Sequence, residues 1–151
     1  MISIKTKIPP PLVALTFSLL VNYSKSIFPK IDIGWGGVFG SLMISIGLII
    51  ILSAIIQTKK YKTTITLLNP SNATKLIVHG IYKFSRNPMY LGLLLILSGI
   101  SIIQNPIGGL LFVPSFILYI THFQIIPEES AMLDLFKDDF SKYKENVRMW
   151  I

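Results

Sequence analysis

The stretch His79-Gly-Ile-Tyr-Lys-Phe-Ser-Arg-Asn-Pro-Met-Tyr-Leu-Gly92 decides how the chain folds. It is basic, aromatic and polar as far as Asn87 and turns apolar at Pro88, where proline suits a first helical turn because no amide hydrogen is needed there. Between Arg86 and Glu128 no residue carries a formal charge, and the apolar run is broken once, by the turn signal Gln104-Asn105-Pro106. The two legs, Pro88 to Gln104 and Ile107 to Ile126, each approach the ~30 Å of a bilayer core at ~1.5 Å rise per residue. Folding back at the turn brings Arg86, Asn87 and Tyr90 level with Glu128 and Glu129. The spacing therefore predicts a polar site held at one membrane face.

Composition points the same way. Hydrophobic residues make up 52% of the 151 and charged residues 14%, with a mean hydropathy of +0.64, more apolar surface than a small globular core buries. The expected fold is an all-α membrane protein, one domain over residues 1–151, with four transmembrane helices near 9–27, 34–57, 88–104 and 107–126. Spans three and four form the hairpin, and segments 74–90 and 127–151 face the cytoplasm. Pro9-Pro10-Pro11 followed by Leu12 to Val21 reads as a retained first span rather than a cleaved signal. Pro114 is expected to kink the fourth span. Thr63 to Leu68 reads as extended and Asn69-Pro70-Ser71-Asn72 as a loop.

After Pro127 the pattern becomes amphipathic. Leu133, Phe136, Phe140, Tyr143 and Val147 recur at helical spacing, as the buried stripe of a tail lying along the membrane surface. Four spans put twelve of the fourteen Lys and Arg on the side of both termini, leaving Lys25 and Lys30 opposite. The positive-inside tendency then places both termini in the cytoplasm, and the membrane is the inner one if the source is a prokaryote. The net charge of +7 follows the spans rather than forming a nucleic-acid surface, and Lys59, Lys60 and Lys62 read as anchors for anionic headgroups. The chain has no cysteine, which excludes disulfides and thiolate chemistry. With only two histidines a metal site is not expected: His79 reads as a loop residue and His122 as a packed polar one. Gly36, Gly37, Gly40 and Gly47 read as points of close helix approach.

Gly80, Tyr82, Arg86, Asn87, Pro88, Tyr90 and Gly92, then Glu128, Glu129, Leu133, Phe136, Phe140 and Tyr143, stand in a two-part pattern across the hairpin. In order and spacing it resembles that of the isoprenylcysteine carboxyl methyltransferase and phospholipid N-methyltransferase family of integral membrane enzymes. The resemblance covers roughly residues 74–148, with three departures. Asn87 replaces the usual His, which argues against proton transfer there. Lys137 replaces a Gly, where a left-handed turn is less easy. Gln124 stands where prenylcysteine enzymes carry an Arg that contacts substrate.

What the resemblance implies is S-adenosylmethionine as cofactor, methyl transfer to a lipidic or other hydrophobic acceptor by carboxyl-O- or amine-N-methylation, and membrane lipids as surroundings. The implied cofactor-binding residues are Lys75, Leu76, Ile77, Tyr82, Asn87, Pro88, Met89, Tyr90 and Glu128. Glu129 would act as base for an ammonium acceptor, Arg148 would hold an anionic one, and Gln124 and Arg148 would contact substrate. The chemistry of the residues permits this, since carboxylates and aromatic faces suit a sulfonium and an ammonium. Adjacent glutamates at a membrane boundary also need a cation, or one stays protonated. Two alternatives remain: an NADPH-dependent enzyme like the sterol and steroid reductases, whose hairpin carries a similar segment, and a non-catalytic membrane scaffold. The bland counterparts are a basic helix flank for Arg86, an interfacial aromatic belt for Tyr82 and Tyr90, and solvated acids at a helix start for Glu128 and Glu129.

Overall fold

A computed structural model describes residues 8–29, 31, 33–61 and 75–151. Lys5, Lys7, Lys30, Lys62, the expected extension at 63–68 and the expected loop at 69–72 lie outside the described residues. The described residues are helical, without strands: α1 Pro10–Tyr23, α2 Gly36–Lys60, α3 Pro88–Gln104, α4 Pro106–Ile120 and α5 Ile126–Asn146. Short 3-10 turns lie at Ser24–Ser26 and Gly80–Lys83, and a π-helical segment, Thr121–Ile125, joins α4 to α5.

Two of these helices are long and apolar enough to cross a bilayer: α2, and the continuous helical run Pro106–Asn146, whose charge-free part ends at Pro127. The helix α3 has 17 residues and α1 has 14, so of the four crossings expected from hydropathy two correspond to helices long enough to span and two to shorter helices. The helix α4 continues through Pro114. Departure from regular α geometry comes further on, at the π segment, a feature periodicity did not announce.

Turn chemistry sets the hairpin. Asn105 ends α3 in an extended conformation, and its side chain accepts from the Gly108 amide at 3.2 Å, capping α4. Pro106 fills the first helical position. The same Asn105 side chain donates to the Ser24 hydroxyl at 3.4 Å, pinning the end of α1 against the turn. Val13, Ala14 and Val21 of α1 pack with Tyr90 and Leu97 of α3 and with Phe116 and Ile120 of α4. Phe17 meets Phe116 edge to face at 5.6 Å.

On the other side of α3 lies α2, antiparallel and in close contact. A Cβ at Gly47 would sit 2.6 Å from the Gly92 carbonyl and one at Gly92 would sit 2.7 Å from the Gly47 carbonyl; one heptad away Gly40 and Gly99 face each other in the same manner, at 2.7 and 2.5 Å. Ile51 and Ile96 cover the first pair, Ile44 and Ile103 the second. Backbones this close require residues without side chains on both helices. Gly40 and Gly47 thus have the role expected of them, whereas Gly37 meets nothing within 4 Å. The outer face of α2, including Phe39, Leu42, Ile49, Leu52 and Ile56, is exposed, the apolar surface that a bilayer covers.

In α5 the expected stripe is only half buried. Phe140 and Tyr143 are covered, but Leu133 is exposed. Lys137 explains the change: its φ of 43° and ψ of −115° interrupt the helix and re-aim the turns before it. The left-handed conformation is present despite the lysine, at a cost of about 1–3 kcal/mol for a non-glycine residue. Gly47→Leu is expected to force α2 from α3 and lower stability by about 1–3 kcal/mol, as overpacking does. Gly37→Leu should change it by less than about 0.5 kcal/mol, as exposed changes do; thermal unfolding in detergent compares the two.

Candidate active site

The site begins at the end of α2. Gln57, with its amide oriented to satisfy both partners, donates to the His79 carbonyl at 2.8 Å and accepts from the Ile81 amide at 3.3 Å. Gly80 lies between them with φ of +63°, and a Cβ there would fall 1.6 Å from the Gln57 side chain, so only glycine permits the turn. The turn carries Tyr82 to the start of α3, where the Tyr143 hydroxyl of α5 donates to the Tyr82 carbonyl at 2.6 Å.

Arg86 then reaches across to α5. Its Nε donates to Glu129 Oε1 at 2.9 Å, its Nη2 stands 2.8 Å from the same oxygen, and its Nη1 donates to the carbonyls of Lys144, at 3.2 Å, and of Val147. Lys144 Nζ pairs with the second Glu129 oxygen at 3.1 Å. The Arg86 and Glu129 side chains are about nine-tenths buried, a setting in which removal of one partner costs about 3–5 kcal/mol. Arg86 also serves as a cap for the last carbonyls of α5.

Past Asn146 the chain runs as an extended strap over the start of α3. The Arg86 amide donates to the Arg148 carbonyl at 3.1 Å, and Asn87 Nδ2 and Ser85 Oγ donate to the Met149 carbonyl at 3.1 and 3.4 Å. Trp150 Nε1 donates to Thr121 Oγ1 of the π segment at 3.3 Å. Asn87 therefore works here as a donor, a task that asks nothing of a titrating group.

Glu128 differs from its neighbour in every respect. It accepts from the Tyr90 hydroxyl at 2.5 Å and has no ion pair among the described residues. Burial raises its carboxyl to about 7, against the lowering effect of the Tyr90 hydrogen bond. Tyr82 is close enough for the Glu128 charge to contribute, after burial, to raising its phenol to about 12. The result is a buried acid between two phenols, while Arg86 and Lys144 pair with Glu129.

Of the residues singled out in the sequence, Tyr82, Asn87, Pro88, Tyr90, Glu128 and Glu129 come together. Met89 lies beside them, half-buried. Ile77 is buried, Leu76 half-buried and Lys75 exposed. The Arg148 side chain is exposed and only its backbone takes part. Gln124 is buried one turn before Glu128; its Nε2 donates to the Ile8 carbonyl at 2.9 Å and its Oε1 has no partner among the described residues. His122, expected to be packed, is exposed, because the π segment turns it outward with its ring edge-on to Phe123. Gln57, Lys144 and Thr121 were not found from sequence. A lone amide near the end of a charge-free helix was a usable signal for Gln57, and none existed for the other two.

The family model for phospholipid methyltransferases matches residues 35–139, which takes in α2, the hairpin, the buried acid and the Arg86–Glu129 pair. The chain belongs to the phospholipid methyltransferase family. Among similar curated proteins is protein-S-isoprenylcysteine O-methyltransferase A of Arabidopsis thaliana, 30% identical over 138 residues, which are 89% of this chain and 69% of the plant protein. A probable protein-S-isoprenylcysteine O-methyltransferase of Oryza sativa subsp. indica is 26% identical over 138 residues, 89% of this chain and 71% of that protein. An uncharacterized protein of Haemophilus influenzae is 41% identical over 63 residues, 42% of this chain and all of its own length. No solved structure matches the chain. The resemblance read from the two-part pattern is a true family relation, and within this phospholipid methyltransferase relative the site is that pattern folded.

Asn87→His retains a donor toward Met149 and is expected to leave the strap in place. Asn87→Asp sets a carboxylate against that carbonyl and should cost about 1–3 kcal/mol, as an unsatisfied buried group does. Tryptic cleavage after the exposed Arg148, slow in the first variant and fast in the second, checks it.

Proposed function

We propose that the chain is a multi-pass membrane methyltransferase that uses S-adenosylmethionine to methylate a lipidic or small hydrophobic acceptor at a carboxyl oxygen or an amine nitrogen. The observation that carries this reading is the buried carboxyl of Glu128 between Tyr82 and Tyr90, without a cationic partner among the described residues. An acid so placed is costly unless a cation joins it, and a ligand bearing a sulfonium and an ammonium is such a cation. The residues present therefore fit this cofactor, which when bound supplies an electrophilic methyl group on sulfur.

In this reading Glu128 holds the cationic part of the cofactor, with Tyr82 and Tyr90 as aromatic walls. Asn87, Pro88 and Met89 line the side formed by α3, and Lys75, Leu76 and Ile77 the approach from the preceding segment. Glu129 has one carboxylate oxygen 2.8 Å from Arg86 and the other 3.1 Å from Lys144, so both of its oxygens are engaged within the bundle. Its part is to position α5 and the strap against α3, where they keep water from the site and fix alignment. A carboxyl acceptor needs no base; an amine acceptor loses its proton before transfer. Gln124 and the exposed Arg148 are the groups left to meet the acceptor. All four antiparallel helices cross the bilayer, with both termini and the site on the cytoplasmic side.

Incubation with S-adenosylmethionine labelled in its methyl group and a total lipid and small-molecule extract tests the reading. Label in a lipid product supports it, and binding of NADPH in place of S-adenosylmethionine overturns it. A carboxyl raised to about 7 is neutral below that pH and charged above it. Affinity for S-adenosylmethionine should then fall about tenfold from pH 8 to pH 6, following the charged fraction. Glu128→Gln should weaken binding and flatten the profile, read by calorimetric titration.

A further inference from the structure

Tyr82 stands beside Glu128, but no long helix carries it. It sits in the 3-10 turn Gly80–Lys83, whose own hydrogen bonds are at the long end of the range: the Tyr82 amide donates to the His79 carbonyl at 3.3 Å, and the Phe84 and Ser85 amides donate to the Ile81 carbonyl at 3.1 and 3.4 Å. A turn this short, with bonds of poor geometry, does not hold its shape alone. What fixes Tyr82 has to come from outside the turn.

Among the described residues two side chains from distant parts of the chain reach it. From α5 the Tyr143 hydroxyl donates to the Tyr82 carbonyl at 2.6 Å. From α2 the Gln57 amide donates to the His79 carbonyl at 2.8 Å and accepts from the Ile81 amide at 3.3 Å, one bond on each side of Gly80. A primary amide carries a donor and an acceptor at the end of one side chain, so Gln57 pairs with the backbone as another peptide unit would. The positive φ at Gly80 brings the chain around this amide, and the place of a Cβ there is taken by the Gln57 side chain, 1.6 Å away. Gln57 and Gly80 are a matched pair, the one filling the space that the other leaves.

The helix that bears Gln57 has no slack. Contacts between Gly40 and Gly99 and between Gly47 and Gly92 lock α2 on α3, the helix of Tyr90, while Tyr143 belongs to α5, the helix of Glu128. The two holds on the turn thus refer Tyr82 to the two helices that supply the rest of the acid's surroundings.

We propose that Gln57 is a positioning residue: its amide fixes the Gly80 turn and, through the turn, holds Tyr82 against Glu128, so that a side chain near the end of a helix long enough to cross the bilayer sets the affinity of the site for its cationic ligand. The role rests on the methyl-transfer reading for the identity of that ligand as S-adenosylmethionine, and on backbone geometry alone for the clamp.

The test uses the full chain in detergent micelles, with hydrogen exchange at the Ile81 amide and equilibrium binding of S-adenosylmethionine measured on the same preparations. Gln57→Met keeps the length of the side chain and removes both bonds; exchange at Ile81 is expected to quicken about tenfold and affinity to fall about tenfold, the scale of a lost hydrogen bond. Gly80→Ala, whose added carbon displaces the amide while Gln57 stays in place, should do the same, and it serves if the methionine variant fails to fold. Lys59→Gln, exposed at the same helix end, should change neither. In a Tyr82→Ala background Gln57→Met is expected to leave the affinity where Tyr82→Ala alone puts it, because residues that act through one another are not additive, whereas general damage to the bundle would add. Exchange at Ile81 unchanged in both variants overturns the clamp. Faster exchange with affinity retained, or an effect of Gln57→Met that persists without Tyr82, overturns the positioning role. Faster exchange in the variants of a chain whose unaltered form binds no S-adenosylmethionine upholds the clamp and overturns, separately, the methyl-transfer reading and the ligand named with it.

Discussion

The ion pair between Arg86 and Glu129 joins two points that the chain reaches only after crossing the bundle and returning. A guanidinium has a rigid fork of donors, and here the fork is divided between a carboxylate and the last carbonyls of α5. One side chain thereby sets the height of α5 against α3 and ends α5 as well. With Lys144 it also neutralises Glu129, and this separates two glutamates that adjacency would make alike. Glu129 is engaged on both oxygens, and Glu128 meets no cation among the described residues.

That pair is useful only if both helices are held rigidly, and two unlike devices do so. On one side the α2–α3 contact is a backbone approach through glycines on both helices, repeated after a heptad so that the register cannot slip without a clash. On the other, α1 packs by ordinary side-chain interdigitation against α3 and α4, fastened at the far end by Asn105 and Ser24 and at the near end by Gln124 and the Ile8 carbonyl. The arrangement leaves a gap between α1 and α2 where neither device operates, and the floor of that gap is Tyr90.

At Asn87, where the pattern that the sequence resembles has a histidine, the structure explains how the departure is borne. The amide nitrogen meets the Met149 carbonyl. Donation is the property retained, and titration the property given up. Lys137 is a different case: the turn is made in spite of the residue, because the ion pair and the strap specify the direction of the second half of α5 whatever occupies the kink.

From residues alone came the helical class, the hairpin with its boundaries at Pro88 and Gln104, and the meeting of Tyr90 with Glu128. Each rests on local chemistry: proline and asparagine mark helix ends through missing donors and spare acceptors, and a charge-free run has a length that hydrocarbon thickness makes meaningful. Which glycines face which, where the π segment falls, why Leu133 and His122 face outward, and which of two adjacent acids is paired were decided only by the tertiary structure. Those outcomes depend on what stands opposite, and an antiparallel register or a ring of partners drawn from α2, α3, α5 and the strap leaves no periodic trace in any one of them.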